Sequence, residues 1–447
     1  MYQRLFNIVL TILLMGITGC GCDDSSDVRS YKLSDLSYSV VSDKTYNLIE
    51  FINNHLFSDG ATPEEQEQNQ ALIDNFEKYI NKLKSDKGVE GVEVYFRKVV
   101  YNYLSVDQYN KPVTLSSMVW WLGYFDNGEW CDFSPENIDL VEHYTITFNG
   151  DAPSIGFPME PFVLGNDLVI MPDYIGYGAS VDMVHPYMNH DLNAINSIDA
   201  LTSGYAIFES LTKRGMEDGW KLNVMGASQG AGNAMAVHKY MDTHKEFAEQ
   251  WHFGYTSCCA GPFSPVVTMD EYYTSGKSLY PVVFPLTIKA MCDSYPEIMG
   301  RYSENDIFSE RYLQYKEQID EMIASKLYKT SQINEVFYNN IRVTVDERLA
   351  DNEIYLCDIL SPEMLDKESD VANALYRCLE LNDLTQGWKP LHSVYLYYSA
   401  GDMVVPYQNS IELVNIFGIG LANLHPYSKE LSHQEACAAW MVGLLIR

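Results

Sequence analysis

Residues 220–241 read WKLNVMGASQGAGNAMAVHKYM. Gly226, Gly230 and Gly232, with Ala227, Ala231 and Ala234, crowd around one serine, Ser228, between an apolar run and a stretch of helical composition. Either a strand crosses tightly into a helix and happens to carry a serine, or the turn exists to present it. Gly226, Ala227, Ser228, Gln229 and Gly230 form a G-x-S-x-G pattern. KLNVMGA before it reads as a buried strand, and Ala231 to Glu246 reads as a helix. Small residues two before and two after the serine let strand and helix approach while the serine takes a strained backbone conformation. The competing reading is a dinucleotide loop, because GAGNAM also follows a strand and opens a helix. G-x-G-x-x-G fails there, since Met235 occupies the third glycine position.

A serine hydroxyl is a poor nucleophile unless a base removes its proton, and the base needs an acid to fix its tautomer and stabilise its cation. After a turn of this kind the partners follow in the order serine, acid, histidine. His238 and His244 lie on or at the end of the helix after the turn. His252 and His392 open strands, at the wrong end. His433, in LSHQEACAAW just before a terminal helix expected over Ala436 to Ile446, is the expected base. His425, eight residues earlier, is the remaining alternative and reads as a loop residue. VYLYYSAGDMVVP places Asp402 after a strand broken by Gly401, where a carboxylate can be buried and still reach an imidazole. The competing role for Asp402 is to cap a turn before VVPYQNS.

The surrounding chain supplies a scaffold. VEVYFRKVVYNYLSV and VTLSSMVWWLGYF are β-branched and aromatic, and DQYNKP between them is turn chemistry. NIDLVEHYTITF and NDLVIMPDYIGYG begin as strands, and DLNAINSIDALTSGYAIFESLTKRG reads as a helix. From residue 160 the order is strand, helix, strand, helix, strand, which means a mainly parallel sheet covered by helices. Residues 264–389 read as helical, rich in Met and Tyr, and fit a cap inserted between two strands. Residues 20–88 read as a polar linker and a helix. The core is expected over 89–263 and 390–447.

The first residues read as a targeting segment. MYQRLFNIVLTILLMGITGC has one basic residue, Arg4, then an apolar run of about 14 residues, the proportions of a signal peptide. Thr18 and Gly19 before Cys20 resemble a bacterial lipoprotein lipobox, which implies cleavage after residue 19, lipidation of Cys20 and a membrane anchor. The acidic CDDSSD that follows resembles the surface-export signals of Bacteroidetes lipoproteins. The expected location is extracytoplasmic, on a bacterial outer membrane.

Across 447 residues, 47% apolar content and 13% aromatics exclude global disorder. The net charge of −31 repels nucleic acid. None of the nine cysteines sits in C-x-x-C, and H-E-x-x-H is absent. No metal and no cofactor is expected.

With Ser228, Asp402 and His433 in order at element ends, the chain resembles the α/β-hydrolase superfamily. PDYIGYGAS (Pro172 to Ser180) and HPY (His185 to Tyr187) resemble its secretory-lipase and lipoprotein-esterase branch. That resemblance implies an α/β-hydrolase fold, a mainly parallel sheet with helices on both faces and an inserted helical cap. It implies an oxyanion hole from the backbone N–H of Gln229 and a second donor after the third strand. Relatives carry H-G-T or H-G-G there; this chain has His143-Tyr144-Thr145, so Tyr144 or Thr145 is the expected donor. Asp173, Tyr174 and Tyr177 are expected to shape the loop. His185 and His190 read as satisfied loop histidines, with pocket lining as the alternative.

The function expected is a serine hydrolase that cleaves carboxylic esters, of small molecules, lipids or acylated glycans, through an acyl-enzyme. A serine peptidase of prolyl-oligopeptidase type shares the triad order, and a non-catalytic surface binder is the reading outside enzymology.

Overall fold

The computed structural model describes residues 37–56, 63–143, 153–154, 165–343, 348–418 and 420–445. The main sheet contains β1 (Tyr38–Asn47), β2 (Val94–Val106), β3 (Pro112–Asp126), β4 (Glu129–Asp132), β5 (Ile138–Glu142), β6 (Leu168–Pro172), β7 (Leu222–Ala227) and β8 (Phe253–Cys259). After a two-residue ribbon of β9 (Lys277–Ser278) and β10 (Ile354–Tyr355), which pair with each other, it gains β11 (Ser393–Tyr398) and β12 (Ala422–Pro426). The order across the sheet is β1-β2-β3-β6-β5-β7-β8-β11-β12, with β4 on β3. The strands from β6 to β12 in that order run parallel, and the β1–β4 side is antiparallel.

The two-residue side-chain period of a strand sends alternate residues to opposite faces. On β3, Val119 and Trp121 enter one apolar cluster, while Met118, Trp120 and Leu122 enter another. The second face is covered by α1 (Leu48–Leu56) and α2 (Pro63–Asp86), through Ile52, Ile73, Phe76 and Ile80. The first is covered by α3 (His190–Leu211) and α4 (Gln229–Thr243). Between β8 and β11 the chain is largely helical, including α5 (Pro265–Ser275) and α6 (Val283–Ser294), and packs around an apolar cluster of its own. α7 (Gln408–Phe417) follows β11, and α8 (His433–Leu445) packs Ala436, Cys437 and Trp440 against Met225 and Cys259 of the sheet.

Several sequence expectations need correction. β1 lies inside the segment read as linker plus helix. Tyr38, Val40 and Val41 are exposed on it, so this edge strand carries no burial alternation to read. β12 is likewise absent from the sequence reading, and with it the setting of His425, which is a strand residue stacked on Tyr397 at 4.7 Å. α8 starts at His433 rather than Ala436. Ser432 and Glu435 bond reciprocally there, Oγ to Oε2 at 2.7 Å, in the S-x-x-E arrangement that starts helices. α4 starts two residues earlier than expected, immediately after Ser228.

Candidate active site

The turn at Ser228 forms because two glycines permit it. A Cβ on Gly226 would collide with the Gly230 carbonyl, and one on Gly230 with the Glu142 carbonyl. With both absent, β7 runs straight into α4, and Ser228 is held at φ 56°, ψ −126°. A non-glycine residue there stores about 1–3 kcal/mol of strain, which persists only because its surroundings over-determine it. The Ser228 N–H is fixed by the Cys259 carbonyl at 2.8 Å. Its side chain therefore stands at the carboxyl end of the parallel strands, where ligands bind in sheets of this type.

The other two residues reach the same place from separate crossovers. Ser399 Oγ donates to the Leu431 carbonyl (2.7 Å) and accepts from the Leu431 N–H (2.8 Å), pinning the turn after β11 to the segment before α8. Asp402 Oδ1 accepts from the Val404 and Val405 amides at 2.8 and 2.9 Å, leaving Oδ2 for His433 Nδ1 at 2.7 Å. His433 Nε2 is 2.8 Å from Ser228 Oγ. All three side chains are buried. Because Nδ1 faces a carboxylate, it carries the proton. In the neutral ring Nε2 then accepts from the serine hydroxyl. Burial pushes the imidazole pKa down, but the hydrogen bond and charge of Asp402 outweigh it and raise it to about 9.

Gln229 is the first residue of α4, where backbone N–H groups have no acceptor within the helix and the helix dipole is positive. Its carboxamide Nε2 lies 2.7 Å from His185 Nε2, while His185 Nδ1 lies 2.8 Å from the Ile175 carbonyl. Burial pushes the His185 imidazole down to about 3. Tyr174 stacks between His143 and His185, at 4.7 and 5.8 Å, and donates to Glu142 Oε2 at 2.8 Å. Burial lifts the Glu142 carboxyl to about 7. Asp173 binds the Ser116 and Ser154 hydroxyls and the Ser154 amide, so it holds loop to strand. His190 Nδ1 is 2.7 Å from the Asn382 carbonyl, a link between α3 and the helical layer.

Tyr144 and Thr145, the expected second oxyanion donors, lie outside the described residues, as does Cys20. His238 and His392 instead flank Asp242, at 2.9 and 2.5 Å, at the opposite end of the strands.

Beside Ser228 lies a small cavity of about 50 Å³. Its walls are apolar: Tyr187 and Met188 from the loop before α3, Met269 and Tyr272 from α5, Phe284 from α6, and Val405 beside Asp402. Sequence reading does not find these residues. They come from four separated segments, and in each one core packing gives the same local pattern.

No protein-family model and no curated protein sequence matches the chain. Solved structures do. The ligand-bound form of the rice cell wall degrading esterase LipA from Xanthomonas oryzae superposes with a TM-score of 0.64 at 17% identity, covering 92% of this chain and 95% of that one. A second crystal structure of the same esterase gives 0.62 at 19%, covering 79% and 90%. A protein from Legionella pneumophila gives 0.61 at 16%, covering 92% and 95%. The chain has the α/β-hydrolase fold. Within this hydrolase fold, Ser228 occupies the strand-to-helix turn after β7, with Asp402 after β11 and His433 after β12.

Proposed function

We propose that the protein is a serine hydrolase that cleaves carboxylic esters. The observation that carries this reading is the hydrogen-bonded line Ser228 Oγ–His433 Nε2 and His433 Nδ1–Asp402 Oδ2, at 2.8 and 2.7 Å, on a strained turn. Ser228 attacks the ester carbonyl. His433 takes its proton and passes it to the leaving alkoxide, while Asp402 holds the ring and stabilises its cation. Water, activated by the same base, then cleaves the acyl-enzyme. The amide of Gln229, at the positive end of α4, faces the developing oxyanion, and a second donor from Tyr144 or Thr145 completes the hole.

The acyl group enters the apolar cavity, whose roof comes from the inserted residues 264–389 acting as a cap. Its apolar walls suit the hydrocarbon part of an acyl group. The description of the similar Xanthomonas structure as an esterase supports ester over amide chemistry. We further propose lipidation at Cys20 and an extracytoplasmic, membrane-tethered location, on the strength of the ITGC sequence.

A panel of p-nitrophenyl esters from acetate to palmitate, run beside aminoacyl-p-nitroanilides and a fluorophosphonate label, tests the reading. Ester turnover well above anilide turnover, with labelling absent in Ser228→Ala, is expected. Faster anilide cleavage would favour a peptidase. A wild-type protein that neither turns over esters nor takes the label would end the hydrolase reading and leave a binding protein.

A further inference from the structure

The loop of residues 173–187 contributes a buried histidine that the triad does not use, and that histidine touches Gln229. The bonding around His185 permits one arrangement. Nδ1 lies 2.8 Å from the Ile175 carbonyl, which can only accept, so Nδ1 carries the hydrogen. Nε2 then presents a lone pair, and the group facing it at 2.7 Å is the carboxamide nitrogen of Gln229, which can only donate. A charged ring would set two donors against each other, and the depressed pKa of this buried ring agrees with the neutral form. The ring is also held by its neighbours. Tyr174 stacks on it at 5.8 Å, and Tyr177 and Tyr187 meet it edge-on at 5.4 and 5.9 Å.

We propose that His185 is a positioning residue for the oxyanion hole: through its hydrogen bond to the Gln229 carboxamide it clamps the first residue of α4, so that the Gln229 backbone N–H keeps its aim at the oxyanion. This rests on the serine hydrolase reading above. The clamp runs from the Ile175 carbonyl through the ring to the Gln229 side chain, and so ties the loop to the residue next to the nucleophile. Such a clamp acts on the transition state. The ground-state carbonyl needs little from the oxyanion donors, whereas the tetrahedral intermediate needs them at full hydrogen-bond geometry. Because Tyr187 both touches His185 and lines the cavity, the same loop joins the acyl pocket to the donor residue.

The test uses two replacements that divide the functions of the ring. In His185→Asn the side-chain N–H can still reach the Ile175 carbonyl, but the acceptor that Nε2 offers to Gln229 is lost. In His185→Gln the longer amide oxygen can reach the position of Nε2. On p-nitrophenyl butyrate, His185→Asn is expected to lower kcat about tenfold with KM within twofold, since outright loss of an oxyanion donor costs about 10²–10³. His185→Gln restores kcat to within about threefold of wild type. Gln229→Ala, which keeps the backbone N–H, matches the loss in His185→Asn, and the double variant is no slower than either single one. The inhibition constant of an alkyl boronic acid rises by the same factor as kcat falls.

An unchanged kcat in His185→Asn overturns the proposal. So do losses that multiply in the double variant, or a change confined to KM. Should His185→Asn fail to fold by circular dichroism, the comparison of Gln229→Ala with His185→Gln decides. An active, labelled wild type with indifferent His185 variants sinks this proposal alone. An inert wild type sinks the hydrolase reading beneath it.

Discussion

Replacing Asp402 by Asn changes one group by a single atom and separates the chemistry of the site from its shape. Oδ1 of Asp402 accepts two backbone N–H groups, from Val404 and Val405, and Oδ2 accepts one hydrogen bond from His433 Nδ1. An amide has one oxygen and one NH₂. Pointing the NH₂ at the two backbone donors creates two repulsive contacts, whereas pointing it at His433 creates one. The oxygen therefore stays on Val404 and Val405, and the NH₂ faces the imidazole. His433 escapes the remaining clash by moving its proton to Nε2, the nitrogen that faces Ser228 Oγ. The base then presents a donor where it needs a lone pair.

A wrong tautomer in a Ser-His-Asp site costs about 10⁴ in kcat, or about 5.4 kcal/mol of transition-state stabilisation. Stability suffers little, because the two backbone hydrogen bonds survive. The assay is kcat/KM on p-nitrophenyl butyrate from pH 5 to 10, with circular dichroism on the same samples. For wild type the sign is set by His433. Its pKa is raised to about 9, and the base works only when neutral, so activity climbs with pH along a limb above the ordinary imidazole value of about 6.5. In Asp402→Asn the charge that raises the pKa is gone, and any residual activity has its limb at lower pH. A folded Asp402→Asn protein that keeps more than a tenth of wild-type activity, or a wild-type limb at or below pH 6.5, refutes the roles assigned to Asp402 and His433.

Gly230→Ala forces a methyl into the Glu142 carbonyl, so a loss of about 1–3 kcal/mol in thermal or denaturant unfolding is expected, with activity reduced because the turn at Ser228 must shift. Val405→Phe places a ring against a cavity of about 50 Å³, and turnover of butyrate should fall at least about tenfold more than that of acetate in the ester panel. Asp242 makes a prediction away from the site. Burial pushes its carboxyl up, but His238, the Leu391 amide and His392 outweigh that and bring it down to about 2. A depressed carboxylate contributes stability that is present above its unfolded pKa of about 3.9 and is lost as pH falls through its folded value. Acid unfolding should therefore steepen between about pH 4 and 2, and Asp242→Asn should flatten that limb in urea titrations read across pH.

What the linear chain determined is local. The strand–Ser228–helix turn is legible because Gly226 and Gly230 are a steric requirement of that crossing, and such requirements appear as residue identity at fixed spacing. Ser228, Asp402 and His433 are legible as ends of elements, since the order in which the chain visits a parallel sheet orders its loops. The capping pair Ser432 and Glu435 is equally present in LSHQE and is enough to place the start of α8 at His433. β1 and β12 are hidden because edge strands bury little, and a strand that buries little has no alternation to read. The Nε2-to-Nε2 contact of Gln229 with His185, and the apolar cavity drawn from Tyr187, Tyr272, Phe284 and Val405, were decided by tertiary structure alone. Hydrogen bonds and van der Waals contacts act over a few ångströms in space, and residues brought together from segments far apart along the chain carry no mark of each other in the sequence.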